Sequence, residues 1–255
     1  MNPLKAMATK QKILFALITC TFMSFMLLKK QDITVYMIGD STMANKQAKA
    51  YPETGWGMEF GAFFDKSVTI DNRALNGRST LSFMAEKHWQ PVLDNLKEGD
   101  YVIIEFGHND EKLDKPGIGT TLDQFRNNLV QYINETRSKK ANPILLTPIA
   151  RRSFKNGVLT DTHKGYPDLV RKVADSLHVP FIDMLAKTES WLRETGDEPS
   201  KKYFNYVEAG HTNYPEGKKD DTHLSPDGAK KIAALAAQGI AELKIELAER
   251  LIAKQ

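Results

Sequence analysis

The stretch VYMIGDSTM, residues 35–43, decides the fold. An apolar and aromatic run leads into Gly39, and Asp40, Ser41 and Thr42 follow. A run of this kind, cut short by glycine, predicts a buried strand that stops abruptly. It leaves a serine just past the carboxyl end of the strand, where α/β sheets place their ligands and their chemistry. The same residues also suit a plainer role, a Ser or Thr cap opening a helix. What lies at the other strand ends decides between the two.

Working outward, strands are predicted at 33–38 (ITVYMI), 67–71 (SVTID), 101–106 (YVIIEF), 144–150 (ILLTPIA, entered through Asn142-Pro143) and 179–182 (VPFI). The unbroken run YVIIEF marks a central strand covered on both faces. Helices are predicted at 58–64, 80–96 with a break at Pro91, 121–139, 164–177 and 184–195, with 196–224 irregular. The last helix opens at Ser225-Pro226, a serine cap with proline in the first turn. Its period runs through Ile232, Leu235, Gly239, Leu243, Leu247 and Leu251. Strands alternating with helices predict an α/β fold, a doubly wound, five-stranded parallel sheet with helices on both faces.

The 255 residues, 41% of them hydrophobic, suffice for one medium-sized domain with a good core. Residues 1–12 carry Lys5, Lys10 and Lys12, residues 13–28 are almost entirely apolar, and Lys29 and Lys30 follow. A basic segment leading into an apolar one has the pattern of a secretory signal peptide. Residues 1–30 are therefore expected to be a signal peptide or N-terminal anchor, the domain to occupy 31–255, and the protein to be exported. Cys20, the one cysteine, lies in that segment, in a weak likeness to a lipoprotein box. The exported body is then free of disulfides. Residues 1–30 also explain the net charge of +3: they hold five of the 35 basic residues and none of the 32 acidic ones. Without them 30 basic residues face 32 acidic ones, so no nucleic-acid partner is implied.

Polar residues fit for chemistry gather past the strand ends. Asp40 and Ser41 follow the first, Asn76, Gly77 and Arg78 the second, and Gly107, His108, Asn109 and Asp110 the third. Arg151 and Arg152 follow the fourth, and Asp220, Asp221 and His223 precede the last helix. A serine hydrolase needs a nucleophile, a base, a carboxylate to orient the base, and oxyanion donors. Ser41 can attack and His223 can take its proton. Asp220, three residues earlier, is near enough to orient the imidazole, with Asp221 the competing acid. Gly77 can bring a backbone N–H close, Asn109 can donate from its side chain, and Ser41 can add its own N–H. Asp40 is expected to shape the turn that presents Ser41. Asp227, in the first turn of the last helix, suits the helix dipole. His108, Asp110, Asp220, Asp221 and His223 could alternatively be drawn as a metal site, but no ligand spacing supports it and Ser41 would go unexplained.

The blocks GDST (39–42), NGRS (76–79), GHND (107–110) and DDTH (220–223) resemble, in order, the four blocks of the SGNH or GDSL-type hydrolases. Within them, GDSTMA, GWG (55–57), NGRS, FGHND, PIARRSF (148–154) and DDTHLSPDGA (220–229) are similar to the rhamnogalacturonan acetylesterases of carbohydrate esterase family 12. The resemblance implies a flavodoxin-like three-layer α/β/α sandwich and cofactor-free, metal-free deacetylation of a plant cell-wall polysaccharide. It implies Ser41, Asp220 and His223 as the triad, through the Asp-x-x-His spacing, and Ser41, Gly77 and Asn109 as the oxyanion hole. Arg78, Arg151 and Arg152 are candidates for binding uronate carboxylates or for a solvated surface with scattered salt bridges, and Trp56 for stacking on a sugar ring or equally for a place in the core. A monomer with an acetylated polysaccharide or oligosaccharide substrate and no obligatory protein partner is expected. A non-catalytic carbohydrate-binding module is disfavoured by the complete set of blocks, and a lipase or thioesterase by the arginines at the exit of strand four.

Overall fold

The computed structural model describes residues 31–252. The expectations of export, anchoring and lipidation at Cys20 fall on residues outside them. Strand β1, Ile33–Gly39, is followed by helix α1, Gly57–Phe60, β2, Val68–Asn72, α2, Thr80–Ala85, and α3, Trp89–Asn95. Next come β3, Tyr101–Glu105, α4, Leu122–Ser138, β4, Asn142–Leu146, and the short β5, Phe154–Lys155, and β6, Val158–Leu159. The order ends with α5, Tyr166–Ser176, β7, Phe181–Ile182, α6, Met184–Thr195, α7, Asp197–Ser200, and α8, Pro226–Leu243.

The main sheet runs β2-β1-β3-β4-β7, every pairing parallel. From β1 the chain winds to one side to make β2, then crosses to the other side for β3. The crevice between the carboxyl ends of β1 and β3 is therefore the point at which the winding reverses, where open α/β sheets bind ligands. Successive strand residues face opposite layers. Val35, Met37, Ile103, Ile144 and Leu146 pack with Trp56, Phe60, Met184, Leu192, Ile232, Ala236 and Ile240, from α1, α6 and α8 and their flanks. Tyr36, Ile38, Val102, Ile104 and Leu145 pack with Phe83, Val92, Phe125, Leu129, Ile133, Val170 and Val173, from α2 to α5. The result is the expected three-layer sandwich. Truncating one such buried aromatic to alanine costs about 3–5 kcal/mol.

Helix starts follow local chemistry. Thr121 Oγ1 accepts from the Gln124 N–H at 3.2 Å while Gln124 Oε1 accepts from the Thr121 N–H at 3.0 Å, a reciprocal cap on α4. Ser225 Oγ accepts from the Gly228 N–H at 3.2 Å and Pro226 opens α8. Two expectations need correction, and one element lies where no strand or helix is predicted. The break in 80–96 falls between α2 and α3, where Lys87 has φ +62°. Pro91 is instead the third residue of α3, in a first turn whose N–H groups need no intrahelical partner. Residues 154–159 form an antiparallel hairpin turned by Asn156 and Gly157, at φ +51° and +76°. Finally, α8 stops at Leu243 because Lys244 adopts φ +52°, and buried Leu247 belongs to a separate 3-10 turn, Glu246–Arg250.

Candidate active site

The turn after β1 is set by Asp40, which is fully buried. Its Oδ1 accepts from the N–H and hydroxyl of Thr42 at 3.0 and 2.9 Å, a carboxylate-closed turn that leaves Ser41 at the apex. The Gly-Trp-Gly segment is threaded against this turn. A Cβ on Gly55 would stand 1.9 Å from the Ala44 carbonyl oxygen, so only glycine fits. The N–H of Trp56 then donates to Thr42 O at 2.9 Å and that of Gly57 to Met43 O at 3.2 Å. Trp56 is thereby carried into the core, with 0% of its surface exposed. Its indole N–H donates to Glu105 Oε2 at 2.8 Å. A sugar ring cannot stack on it, and the expectation of a stacking platform is corrected: Trp56 supports the turn from beneath.

Ser41, His223 and Asp220 form a continuous chain. Ser41 Oγ lies 2.9 Å from His223 Nε2, and His223 Nδ1 lies 2.8 Å from Asp220 Oδ2. An ionised carboxylate only accepts, so Nδ1 carries the hydrogen and Nε2 is left to accept from the serine hydroxyl. Asp220 Oδ1 accepts from the N–H groups of Thr222 and His223, both at 2.9 Å. Burial opposes the charge on Asp220. The hydrogen bonds from the His223 ring and from the two backbone N–H groups outweigh it, holding the carboxyl well below the usual carboxylate range. The loop is pinned from three sides: Arg152 N donates to Asp221 O and Asn205 N to His223 O, both at 2.8 Å, and Thr54 N to Leu224 O at 2.9 Å.

Arg152 is a brace for this loop rather than a surface cation. It is 5% exposed, and its guanidinium donates to Asp221 Oδ1 at 2.6 Å, to Ser200 Oγ at 3.1 Å and to the Asp197 carboxylate. Asp221 also accepts from Tyr206 Oη at 2.7 Å, which occupies it away from His223. Arg151 is similarly committed, 2.5 Å from Glu111 and 3.1 Å from Thr162 Oγ1. Arg78 grips Glu86 with Nε and Nη2 at 2.9 and 2.6 Å, but both side chains are partly exposed.

The three candidate oxyanion donors lie on connected segments: Lys46 Nζ joins Ser41 O to Asn76 Oδ1, and Asn109 Nδ2 reaches Arg78 O. Neither the N–H of Ser41 nor that of Gly77 has an acceptor among the described residues. Gly77 has φ +76°, and nothing lies within 4 Å of the place a Cβ would take. Its left-handed backbone is a conformation that favours glycine. Buried Asn109 donates one Nδ2 hydrogen to Arg78 O at 2.9 Å, and the second hydrogen remains.

A layer of buried ionisable groups lies beneath. His108 Nδ1 stands 3.2 Å from Asp40 Oδ2, a close contact without hydrogen-bond alignment. Burial pushes the His108 pKa down to about 4 against the pull of Asp40, so the ring is neutral at neutral pH. Burial works against the charge of Asp40 too, but the hydrogen bonds donated by the Thr42 N–H and hydroxyl hold its carboxyl below the usual carboxylate range. Burial, then the nearby Asp40 charge, raises Glu105 to about 8, and burial raises Asp110 to about 7 against the hydroxyls of Thr80 and Thr120. Asp110 Oδ1 accepts from Thr80 Oγ1 at 2.5 Å, a supporting role like that of His108. Glu105 is a site residue that the sequence reading misses. Its signal is a lone acid inside the otherwise apolar YVIIEF.

Residues 37–231 match the model of the GDSL-like Lipase/Acylhydrolase family. The chain belongs to this family. It is 38% identical over 228 residues to the rhamnogalacturonan acetylesterase RhgT of Bacillus subtilis, covering 89% of this chain and 97% of that protein. It is 28% identical to a rhamnogalacturonan acetylesterase of Emericella nidulans, covering 82% and 86% of the two chains. Among solved structures, the protein YxiM of Bacillus subtilis superposes with a TM-score of 0.72 at 23% identity, over 85% of this chain and 58% of that one. Axe2, an acetylxylan esterase from Geobacillus stearothermophilus, superposes with a TM-score of 0.57 at 20% identity, over 85% and 96% of the chains. These two structures share the fold of this GDSL-like hydrolase.

Proposed function

We propose that this protein is a serine esterase that removes acetyl groups from a plant cell-wall polysaccharide, with rhamnogalacturonan the substrate. The carrying observation is the 2.9 Å contact of Ser41 Oγ with His223 Nε2, backed by Asp220 and faced by unused donors. His223 takes the serine proton as Ser41 Oγ attacks the acetyl carbonyl. The tetrahedral oxyanion is held by the N–H groups of Ser41 and Gly77 and by Asn109 Nδ2. His223 returns the proton to the departing sugar oxygen, leaving acetyl on Ser41. Water, deprotonated by His223, then releases acetate and restores the serine. Each oxyanion donor is worth on the order of 10²–10³ in rate.

The similarity to acetylesterases of rhamnogalacturonan supports the substrate. So does a cavity of about 430 Å³ beside Gly77, lined among others by Lys49, Asn76, Arg78 and His88. Its partly exposed Arg78 can exchange Glu86 for a uronate carboxylate. We assign the protein to the exported fraction, through residues 1–30, and expect it to act as a monomer. Acetate released from a panel of acetylated rhamnogalacturonan, xylan and short and long acyl esters tests the assignment. Release from rhamnogalacturonan above the others is expected, and preference for xylan or a long acyl ester would replace it. Chelation is expected to leave the rate unchanged.

A further inference from the structure

The polarity of the Asn109 amide is fixed by a residue outside the four sequence blocks. Lys112 Nζ lies 2.7 Å from Asn109 Oδ1. An ammonium has hydrogens to give and no lone pair, so the amide atom it touches is the oxygen and the other arm is the NH₂. That arm spends one hydrogen on Arg78 O at 2.9 Å, next to Gly77. The remaining hydrogen has no acceptor among the described residues. Lys112 reaches back because residues 109–112 form a turn, closed by the Lys112 N–H on Asn109 O at 3.1 Å. No carboxylate lies within ion-pair distance of Lys112 among the described residues. Its charge is thus not cancelled by contact, and its side chain is only partly open to water. A cation on the carbonyl end of an amide draws electrons from the NH₂ end and makes it a stronger donor, most of all where water is sparse.

We propose that Lys112 is a positioning residue for the oxyanion site: its ammonium holds Asn109 with Nδ2 toward the reacting carbonyl and strengthens that donor as negative charge develops. This rests on the acyl-transfer reading above. Charge develops only in the transition state, so the effect belongs in kcat and leaves KM for a small acetyl ester nearly untouched.

The test is steady-state kinetics on a small acetyl ester for Lys112→Met, Lys112→Arg, Asn109→Ala and the double variant Lys112→Met/Asn109→Ala, with Ser41→Ala alongside. Lys112→Met is expected to lower kcat by about 10- to 100-fold, below the loss for a donor itself. KM is expected to stay within about threefold and Lys112→Arg to recover most of the rate. In the Asn109→Ala background Lys112→Met should cost nothing more, because it acts only through that amide. An unchanged kcat in Lys112→Met, or an equal loss in both backgrounds, would overturn the role. If Lys112→Met does not fold by circular dichroism, Lys112→Gln replaces it under the same criteria. Activity surviving in Ser41→Ala would remove the acyl-transfer reading itself. A dead Ser41→Ala with a normal Lys112→Met removes only the role of Lys112.

Discussion

Lys46 Nζ donates to the backbone carbonyl oxygen of Ser41 at 2.6 Å. The same ammonium reaches Asn76 Oδ1 at 2.8 Å and Glu53 Oε1 at 2.7 Å, with its side chain 2% exposed. It therefore ties the nucleophile turn to the loop that carries Gly77, and Glu53 balances its charge. Replacing it by methionine strands the Glu53 carboxylate. Lys46→Met is expected to cost about 3–5 kcal/mol of stability, as for breaking one side of a buried pair. Denaturant unfolding measures the loss, and kcat should fall with it because two halves of the site lose their common tether. Adding Glu53→Gln should recover part of the stability but not the rate.

Asp220→Asn is expected to keep the fold and lose about 10²–10⁴ in kcat, because the amide no longer fixes the imidazole tautomer. The stability effect has its own sign. The folded-state pKa of Asp220 lies below its ordinary value of 3.8, so the ionised group stabilises above that pH and its contribution disappears on acidification. The melting-temperature gap between the wild type and Asp220→Asn should therefore be widest near neutrality and narrow below about pH 4.

Glu105 behaves in the opposite sense. Its pKa is about 8 in the fold against an ordinary 4.5, so the wild type loses stability as pH rises between those values. Glu105→Gln carries no such charge. Its melting temperature relative to wild type should rise steadily from about pH 5 to about pH 8. Parallel curves over that range would show that Glu105 titrates normally.

Arg152→Met removes the brace of the Asp220–His223 loop. It leaves Asp197 and Asp221 without their shared partner and is expected to destabilise by about 3–5 kcal/mol. At temperatures where the variant stays folded, kcat should fall more than KM changes, since the loop supplies the base and not the substrate contacts. Asp221→Asn, which keeps the hydrogen bonds, should be milder on both counts.

The central architecture is legible in sequence because both of its signals are local. Apolar runs at 33–38 and 101–106 can only be buried strands, and the residues past their ends must emerge at one rim. Ser41, His223 and Asp220 are brought into contact there, and Asn109 reaches Arg78 O beside Gly77. Trp56 reads ambiguously and Arg152 wrongly for one shared reason. A large amphipathic side chain looks the same in sequence whether it meets solvent or plugs the core, and only the Gly55 contact and the Asp197–Asp221 pairing decide. The 154–159 hairpin had a usable signal in Asn156-Gly157, but its two-residue strands carry no periodicity. The contacts of Lys46 with Ser41 O and of Lys112 with Asn109 Oδ1 are invisible in sequence because composition does not mark a backbone carbonyl or an amide oxygen as a partner.

The contact between Ser41 and His223 joins residues 182 positions apart. Between them the chain must lay down every strand of the main sheet after β1. A growing polypeptide can thus bury β1, β3 and β4 and display its serine while still lacking the base, and α8 must dock before the base is held. Hydrolysis becomes a signal for the last event of folding. A refolding time course followed by ester cleavage will lag one followed by burial of Trp89, the tryptophan in the layer without α8, and the delay will measure how long the two ends take to meet.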